Sequence, residues 1–332
     1  MGINGHLRSY LNDADIELLN RVQLGIPIER KPFHSLGQQL AMSEADVISR
    51  LERMKGMNLL RRISAIFDAS KVGYKTALVA FTVEEARIDE VANKVNSMPF
   101  VSHNYEREAE FNLWFTVVLP QAQDLHNTIF QLAHTCKVSD WMLLPALRTF
   151  KVGVALDASL RLGNIYNQTE EVKMPTRQID DDDIACIRIL QGEFPLVSEP
   201  FKELARKHGV DEVWLIERSL LLSSEGRLRR IAASVNHRLL GYAANALVVW
   251  DVPDEDVETV GRKLASLPCV SHCYQRPRYP MWDFSLYTMI HGANEGSVRE
   301  LVERMLCIVG QYKWRMLPSK REFKKERVKL FA

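Results

Sequence analysis

The spacing of apolar residues along this chain changes period several times, and the same succession of changes occurs twice. In "DADIELLNRVQ", Ile16, Leu18, Leu19 and Val22 fall on roughly one face of a 3.6-residue helix. "HSLGQQLAMSEADVISRLERMKGMNLL" keeps that period with one interruption, which predicts helix, short turn, helix. Ser43, followed by Asp46, suits an N-cap for the third helix, with Val47, Ile48, Leu51 and Met54 at helical spacing behind it. The pattern then shortens. "RRISAIFD" and "KTALVAFTV" alternate or run apolar as strands, "IDEVANKVNSMP" is an amphipathic helix, "NLWFTVVL" a strand, "QDLHNTIFQLAHT" a helix and "WMLLPALRTFKV" a closing strand. A winged helix-turn-helix outline followed by βαββαβ order predicts an α+β fold, its ferredoxin-like sheet carrying both helices on one face.

The whole series recurs. "DADIELL" answers "DDDIACI" and "LLRRISAIFDASKVGY" answers "RLRRIAASVNHRLLGY": Asp183 stands 168 residues after Asp15, and Tyr242 168 after Tyr74. "YAANALVVWDV", "VETVGRKLASLP", "FSLYTMIHG" and "GSVRELVERMLCIVG" supply the second set of strands and helices. By Trp141 and Trp314 the offset has grown to 173, the extra residues falling in "PRYPMWD". The expected organisation is pseudo-dimeric: winged helix 1–70, ferredoxin-like domain 71–158, linker 159–178, winged helix 179–238 and ferredoxin-like domain 239–332.

Composition narrows the function classes. With 46% hydrophobic and 26% charged residues over 332 positions, the chain suits two or more compact domains. No apolar run reaches the roughly 20 residues of a membrane helix, and the start lacks a signal-peptide layout, so a cytoplasmic location with no membrane partner is expected. Five scattered cysteines favour neither a disulfide framework nor a zinc site. Lys+Arg 43 against Asp+Glu 42 leaves no global field for a polyanion.

A winged helix joined to a ferredoxin-like domain resembles the Lrp/AsnC transcription regulators, nearly end to end in each copy. The resemblance implies ligand-responsive DNA binding, but the recognition segments argue against it. Affinity for DNA comes largely from Lys and Arg near phosphates. Here those segments read "SEADVISR" and "GVDEVWLIER", presenting Glu44, Asp46, Asp211 and Glu212 to the groove. Helix capping accounts for the acids without restoring a DNA-reading surface.

One cluster stands out: "VSHNYEREAEFNLWF" from Val101 and "VSHCYQRPRYPMWDFSLY" from Val270. His103, Tyr105 and Arg107 alternate along a strand and share a face, as do His272, Tyr274 and Arg276, with Arg278 one step further. A polar strand face needs no chemistry to explain it. Its repetition fits a site for an anionic, aromatic or proton-consuming ligand better. The next strand offers Asn112 and Trp114, replaced by Ser285 and Tyr287 in the second copy, and the closing strand offers Arg148 and Arg321, beside Lys151 and Lys324. The basic tail "SKREFKKERVK" also suits a solvated surface.

With the "LP-x-x-R-x-F-K" endings at Leu144 and Leu317, these motifs resemble siroheme decarboxylases in their fused two-subunit form. That resemblance implies removal of carbon dioxide from the acetates at positions 12 and 18 of siroheme, giving 12,18-didecarboxysiroheme for heme d1 or the alternative heme route. It implies no cofactor and no metal of the protein's own, siroheme and neighbouring tetrapyrrole enzymes as partners, and no DNA. Under it, His103 or His272 donates the proton, or ligates the siroheme iron, with Tyr105 or Tyr274 orienting or relaying. Arg107, Arg276, Arg278, Arg148 and Arg321 bind carboxylates, Asn112 and Trp114 meet the ligand, and His291 is a third histidine to consider. A ligand-responsive DNA-binding regulator and a tetrapyrrole-binding protein without turnover are the competing expectations.

Overall fold

The computed structural model describes residues 10–153, 155–159 and 177–332. Apart from its ends, the expected linker 159–178 lies outside the described residues. Each winged-helix unit opens with three helices: α1 (Asp13–Leu24), α2 (Pro32–Gln39) and α3 (Glu44–Gly56) in the first copy. In the second they are α6 (Asp181–Leu190), α7 (Pro200–His208) and α8 (Glu212–Ser224). Ser43 accepts a hydrogen bond from the Asp46 backbone NH, as the N-cap reading requires. Reciprocal capping boxes start α1, from Asn12 and Asp15, and α6, from Asp180 and Asp183.

The two winged helices share one core. Strand β1 (Leu60–Phe67) pairs antiparallel with β7 (Leu228–Val235) of the other copy. Each copy also lends the other a backbone bond at equivalent points: the Ile26 NH donates to the Ile231 carbonyl at 2.7 Å, and the Phe194 NH to the Ile63 carbonyl at 2.8 Å. Leu18, Leu51, Phe33, Ile187, Leu215 and Phe201 pack into one cluster across this pseudo-two-fold axis. Fully burying an aliphatic or phenyl side chain stabilises by about 1.5–3 kcal/mol, so this shared cluster ties the two halves together.

The remaining strands form a nine-stranded sheet in the order β5-β2-β4-β3-β11-β8-β10-β9-β6. The first copy supplies β2 (Tyr74–Phe81), β3 (Val101–Arg107), β4 (Leu113–Pro120), β5 (Trp141–Pro145) and β6 (Arg148–Val152). The second supplies β8 (Ala244–Asp251), β9 (Val270–Gln275), β10 (Leu286–Gly292) and β11 (Lys313–Lys325). Helices α4 (Ile88–Ser97) and α5 (Leu125–Cys136) cover one face of the first half, and α9 (Val257–Ser266) and α10 (Glu295–Val309) cover the second. The opposite faces meet each other through Trp114, Leu144, Leu247, Trp282, Tyr287 and Leu317.

The closing strands are exchanged, which the single strand expected over "WMLLPALRTFKV" does not anticipate. That segment breaks after Pro145: β5 stays with β2 of its own copy, while β6 crosses to β9 of the other. Strand β11 does the same without a break, pairing with β8 through Pro318 and with β3 from Ser319 onward. Part of the basic tail is therefore a ladder strand.

Gly261 shows what the exchange requires. It lies inside α9, where a Cβ would sit 2.5 Å from the Phe150 ring of the visiting β6. Gly261→Ala is expected to destabilise the fold by about 1–3 kcal/mol through overpacking. Denaturant titration checks this; an unchanged midpoint would mean the crossed strand is not seated there.

Candidate functional site

The His-Tyr-Arg rows point inward. On β3, Asn104 faces outward and donates its amide to Asn96 Oδ1 of α4 at 3.0 Å, so its neighbours His103 and Tyr105 take the face between the half-sheets. In the first copy the row runs from a buried arginine to a half-buried histidine, whereas Arg276 and His272 are both half-buried. The buried Arg107 donates to the Leu317 carbonyl at 2.9 Å and to Ser319 Oγ at 3.0 Å. Arg276 donates to the Leu144 carbonyl, the equivalent point of the other closing strand. Each guanidinium lies over its neighbouring tyrosine, 5.4 Å from the Tyr105 centroid and 4.7 Å from that of Tyr274. Burial pulls both arginines down from their usual values, Arg107 to about 10.

Where the rows leave this core, a cleft of about 2060 Å³ opens beneath the winged helices. It exceeds the roughly 300–1,000 Å³ of pockets for drug-sized ligands. His103 of the first copy and Tyr274 of the second both stand on its wall. Its floor is partly apolar, with Ile66, Phe67, Val118 and Val152, and its rim is cationic. Ten Lys or Arg residues line it against two carboxylates, Asp68 and Glu258. The near-neutral composition conceals this local field, which favours a flat, apolar, multiply anionic ligand.

Several of these cations come from outside the His-Tyr-Arg rows. Arg62 and Arg229 stand on the paired wing strands, Lys151 on β6 and Arg327 after β11. Arg327 donates to Ser64 Oγ at 2.9 Å and to the Ala65 carbonyl at 2.8 Å, and no carboxylate among the described residues is seen to pair with it. Burial, with Arg62 and Arg230 nearby, lowers it to about 10. Lys151 donates to the Leu267 carbonyl at 3.1 Å and is likewise lowered by burial. Arg229 is held 2.8 Å from Asp68.

His103 has a defined orientation. Its Nδ1 lies 2.9 Å from Ser102 Oγ, and its ring is stacked near Tyr105 at 6.3 Å. Burial first, then Lys325 and Arg327, hold it down at about 4. Tyr105 is pushed above its usual value, by burial first and then by Glu322. His272 repeats the arrangement, with Ser271 Oγ at 3.0 Å and Tyr274 at 6.1 Å, but does not line the cleft.

Other expected residues are placed elsewhere. Arg148 reaches the cleft, paired with Glu258. Arg321 pairs with Glu106 and with Asp89 at 2.8 Å, beside α4 and away from the cleft. Arg278 is tied to Asp251 at 2.6 Å and to the Val252 and Asp283 carbonyls, where it secures the longer turn of the second copy. Asn112 exchanges hydrogen bonds with the Val83 backbone at 2.9 and 2.7 Å. Trp114 is buried, donating to the Phe111 carbonyl at 2.6 Å. Arg278, Arg321, Asn112 and Trp114 are thus engaged in holding the fold, not in lining the cleft where ligand contact was expected of them.

An AsnC-like ligand binding domain is matched at residues 71–151 and 239–324. The helix-turn-helix domain of NirDL-like siroheme decarboxylases is matched at 15–61 and 183–229. Siroheme decarboxylase from Hydrogenobacter thermophilus is 37% identical, the alignment covering 97% of this chain and 96% of that one. This chain belongs to the siroheme decarboxylases. The siroheme decarboxylase beta subunit of Methanosarcina barkeri is 40% identical over its entire length and covers 46% of this chain, so one half here corresponds to a separate subunit there. The crystal structure of siroheme decarboxylase NirDL with an iron-uroporphyrin III analogue matches with a TM-score of 0.72 and 33% identity, covering 96% of this chain and 95% of that one.

Proposed function

We propose that the chain is a carboxy-lyase that removes carbon dioxide from the acetates at positions 12 and 18 of siroheme, in the cleft bounded by His103 and Tyr274. The observation that carries this reading is one cleft combining tetrapyrrole-scale volume, a cationic rim and a histidine on its wall. Arginine forks suit the carboxylates of the macrocycle, and the apolar floor suits its flat face.

Loss of carbon dioxide breaks the bond between the acetate methylene and its carboxyl carbon. The electron pair stays on the methylene, delocalised into the ring, and one proton converts the methylene to methyl. His103 supplies that proton in this reading, and Tyr274, across the cleft, orients the acetate. In the free protein His103 is neutral at pH 7, because burial and cations disfavour its charged form. In this reading an entering polyanion offsets those cations and raises the histidine, which takes up from solvent the proton that it later donates, so affinity should rise as pH falls.

The reading is tested by anaerobic incubation with siroheme and capture of carbon dioxide. Gas release supports turnover, whereas a spectral change without gas favours a tetrapyrrole-binding protein. Arg327→Ala should raise KM about tenfold with a smaller effect on kcat, as expected for loss of one charge-assisted contact. An unaltered KM would move carboxylate recognition to another cation.

The winged helices serve as walls here. Arg50 and Arg53 on α3 are bound by Asp15 at 2.8 and 2.7 Å, and Arg218 on α8 by Asp182 at 2.8 Å. The two recognition helices begin against the other copy: Ser198 donates to Glu44 at 3.0 Å, and Arg30 lies 3.9 Å from Glu212. Cations already paired and helix starts already covered are poor instruments for duplex DNA. Among the described residues, no helix is long and apolar enough to cross a membrane.

A further inference from the structure

We propose that Trp282, in the longer turn of the second copy, is a positioning residue for the reaction: through Tyr287 and Arg276 it fixes how Tyr274 is presented to the cleft. This inference rests on the proposed function, in which Tyr274 orients the acetate.

The turn belongs to the second copy alone. The offset between copies is 169 at His103 and His272 and 173 at Trp114 and Tyr287, so the segment 277–283 holds four residues with no counterpart. It folds back on itself, the Tyr279 NH donating to the Trp282 carbonyl at 3.0 Å and the Trp282 NH to the Tyr279 carbonyl at 2.8 Å. Its tip is fastened to β5 of the first copy. The Tyr279 hydroxyl donates to the Leu143 carbonyl at 2.9 Å and accepts from the Leu143 NH at 3.1 Å. Held at both points, the turn sends Trp282 inward, where it is 2% exposed and packs on Phe111 and Trp114 of the first copy.

From Trp282 a chain of contacts leads to the cleft. Its Nε1 donates to the Tyr287 hydroxyl at 2.9 Å, giving a buried phenol the polar partner it needs. Tyr287 and Tyr274 are direct cross-strand partners on β10 and β9. The Arg276 guanidinium lies over both rings, 5.6 Å from the centroid of Tyr287 and 4.7 Å from that of Tyr274. Tyr274 stands on the cleft wall. Burial raises its hydroxyl above the usual value, and Arg276 opposes that rise.

The first copy holds its arginine differently. Arg107 has two oxygens, the Leu317 carbonyl and Ser319 Oγ. The Leu144 carbonyl supplies Arg276 with the equivalent of the first, but Ala146 stands 173 residues before Ser319, and the second anchor is missing. Trp114 occupies the place of Tyr287 and donates to the Phe111 carbonyl of its own copy. The second copy thus replaces a hydroxyl anchor with an aromatic ring, and the extra turn brings the indole that pins the ring.

The test is steady-state decarboxylation of siroheme by the full chain under anaerobic conditions. Tyr287→Phe keeps the ring and deletes the acceptor, and Trp282→Phe deletes the donor. Each should lower kcat about 10- to 100-fold with KM nearly unchanged, because a small misplacement of an orienting group is felt in the transition state. Ala146→Ser, which offers Arg276 the hydroxyl that Arg107 has, should leave wild-type turnover unaltered and restore most of the loss in Tyr287→Phe. Lost packing alone would not be restored by that hydroxyl. In a Tyr274→Phe background, Tyr287→Phe should cost nothing further.

Wild-type kcat in folded Tyr287→Phe, beside a slowed Tyr274→Phe, would overturn this inference alone; that variant deletes a single oxygen and decides the matter if Trp282→Phe does not fold. A loss that adds in full to that of Tyr274→Phe, or that Ala146→Ser leaves uncorrected, would overturn it equally. Wild-type turnover in Tyr274→Phe would instead remove the orienting role of Tyr274 from the proposed function, which separates the two failures.

Discussion

His103→Ala is expected to slow decarboxylation by about 10²- to 10⁴-fold while the protein still binds siroheme, the range typical for removing a positioned general acid. The size of the effect follows from geometry. His103 is the histidine of the repeated pair that stands on the cleft wall, and Ser102 at its Nδ1 fixes how the ring is presented. Siroheme would still be held by the cationic rim, so single-turnover rate and spectral affinity should separate in this variant. Its binding should also lose the proton uptake expected of wild type, giving a flatter dependence of affinity on pH. A His103→Ala protein that folds and turns over at the wild-type rate would remove the residue from the chemistry.

A second large effect is expected in stability at mildly acidic pH. Burial, the first cause in each case, holds His103 at about 4 and His237, His272 and His291 at about 3, against an ordinary value of 6.5. Lys325 adds to the depression of His103, His237 and His291. Below pH 6.5 the unfolded chain binds protons that the folded chain does not, so stability is complete above that value and falls as pH falls. Each such group contributes up to about 1.4 kcal/mol per pH unit across the interval, less where neighbouring imidazoles are coupled.

Carboxylates held low by partners, such as Asp15 and Glu106, add their own loss below about pH 4. The interval from pH 6.5 to 4 therefore reports chiefly on the histidines. Urea titrations at pH 7, 6 and 5 should show the midpoint dropping at each step, and the drop should shrink in the His237→Ala, His291→Val protein. Equal midpoints at pH 7 and 5 would mean that the imidazoles are solvated.

Much of this arrangement is legible in the sequence because repetition leaves a signature independent of any pairing. The constant offset from Asp15 to Tyr74 reveals two copies, and period changes inside each copy give the order of its elements. Alternation places His103, Tyr105 and Arg107 on one face. Strand exchange is not legible, since "RTFKV" and "REFKK" carry no mark of which sheet they enter. Their partners follow only from the apposition of the half-sheets.

That apposition also redistributes the candidate residues. Arg107 and Arg276 cap the opposite closing strands, while Trp114 becomes core. Arg327, in a tail that reads equally well as solvated, is carried to the cleft by the strand before it.

The central claim is that this cleft removes carboxyl groups from siroheme and returns protons to the carbons left behind. Anaerobic incubation of the purified chain with siroheme in deuterated water, followed by mass analysis of the tetrapyrrole, tests it most directly. The account predicts a product that has lost two molecules of carbon dioxide and gained one solvent deuteron in each new methyl group. Recovery of siroheme with all its carboxyl groups in place, from protein that demonstrably bound it, would contradict the account.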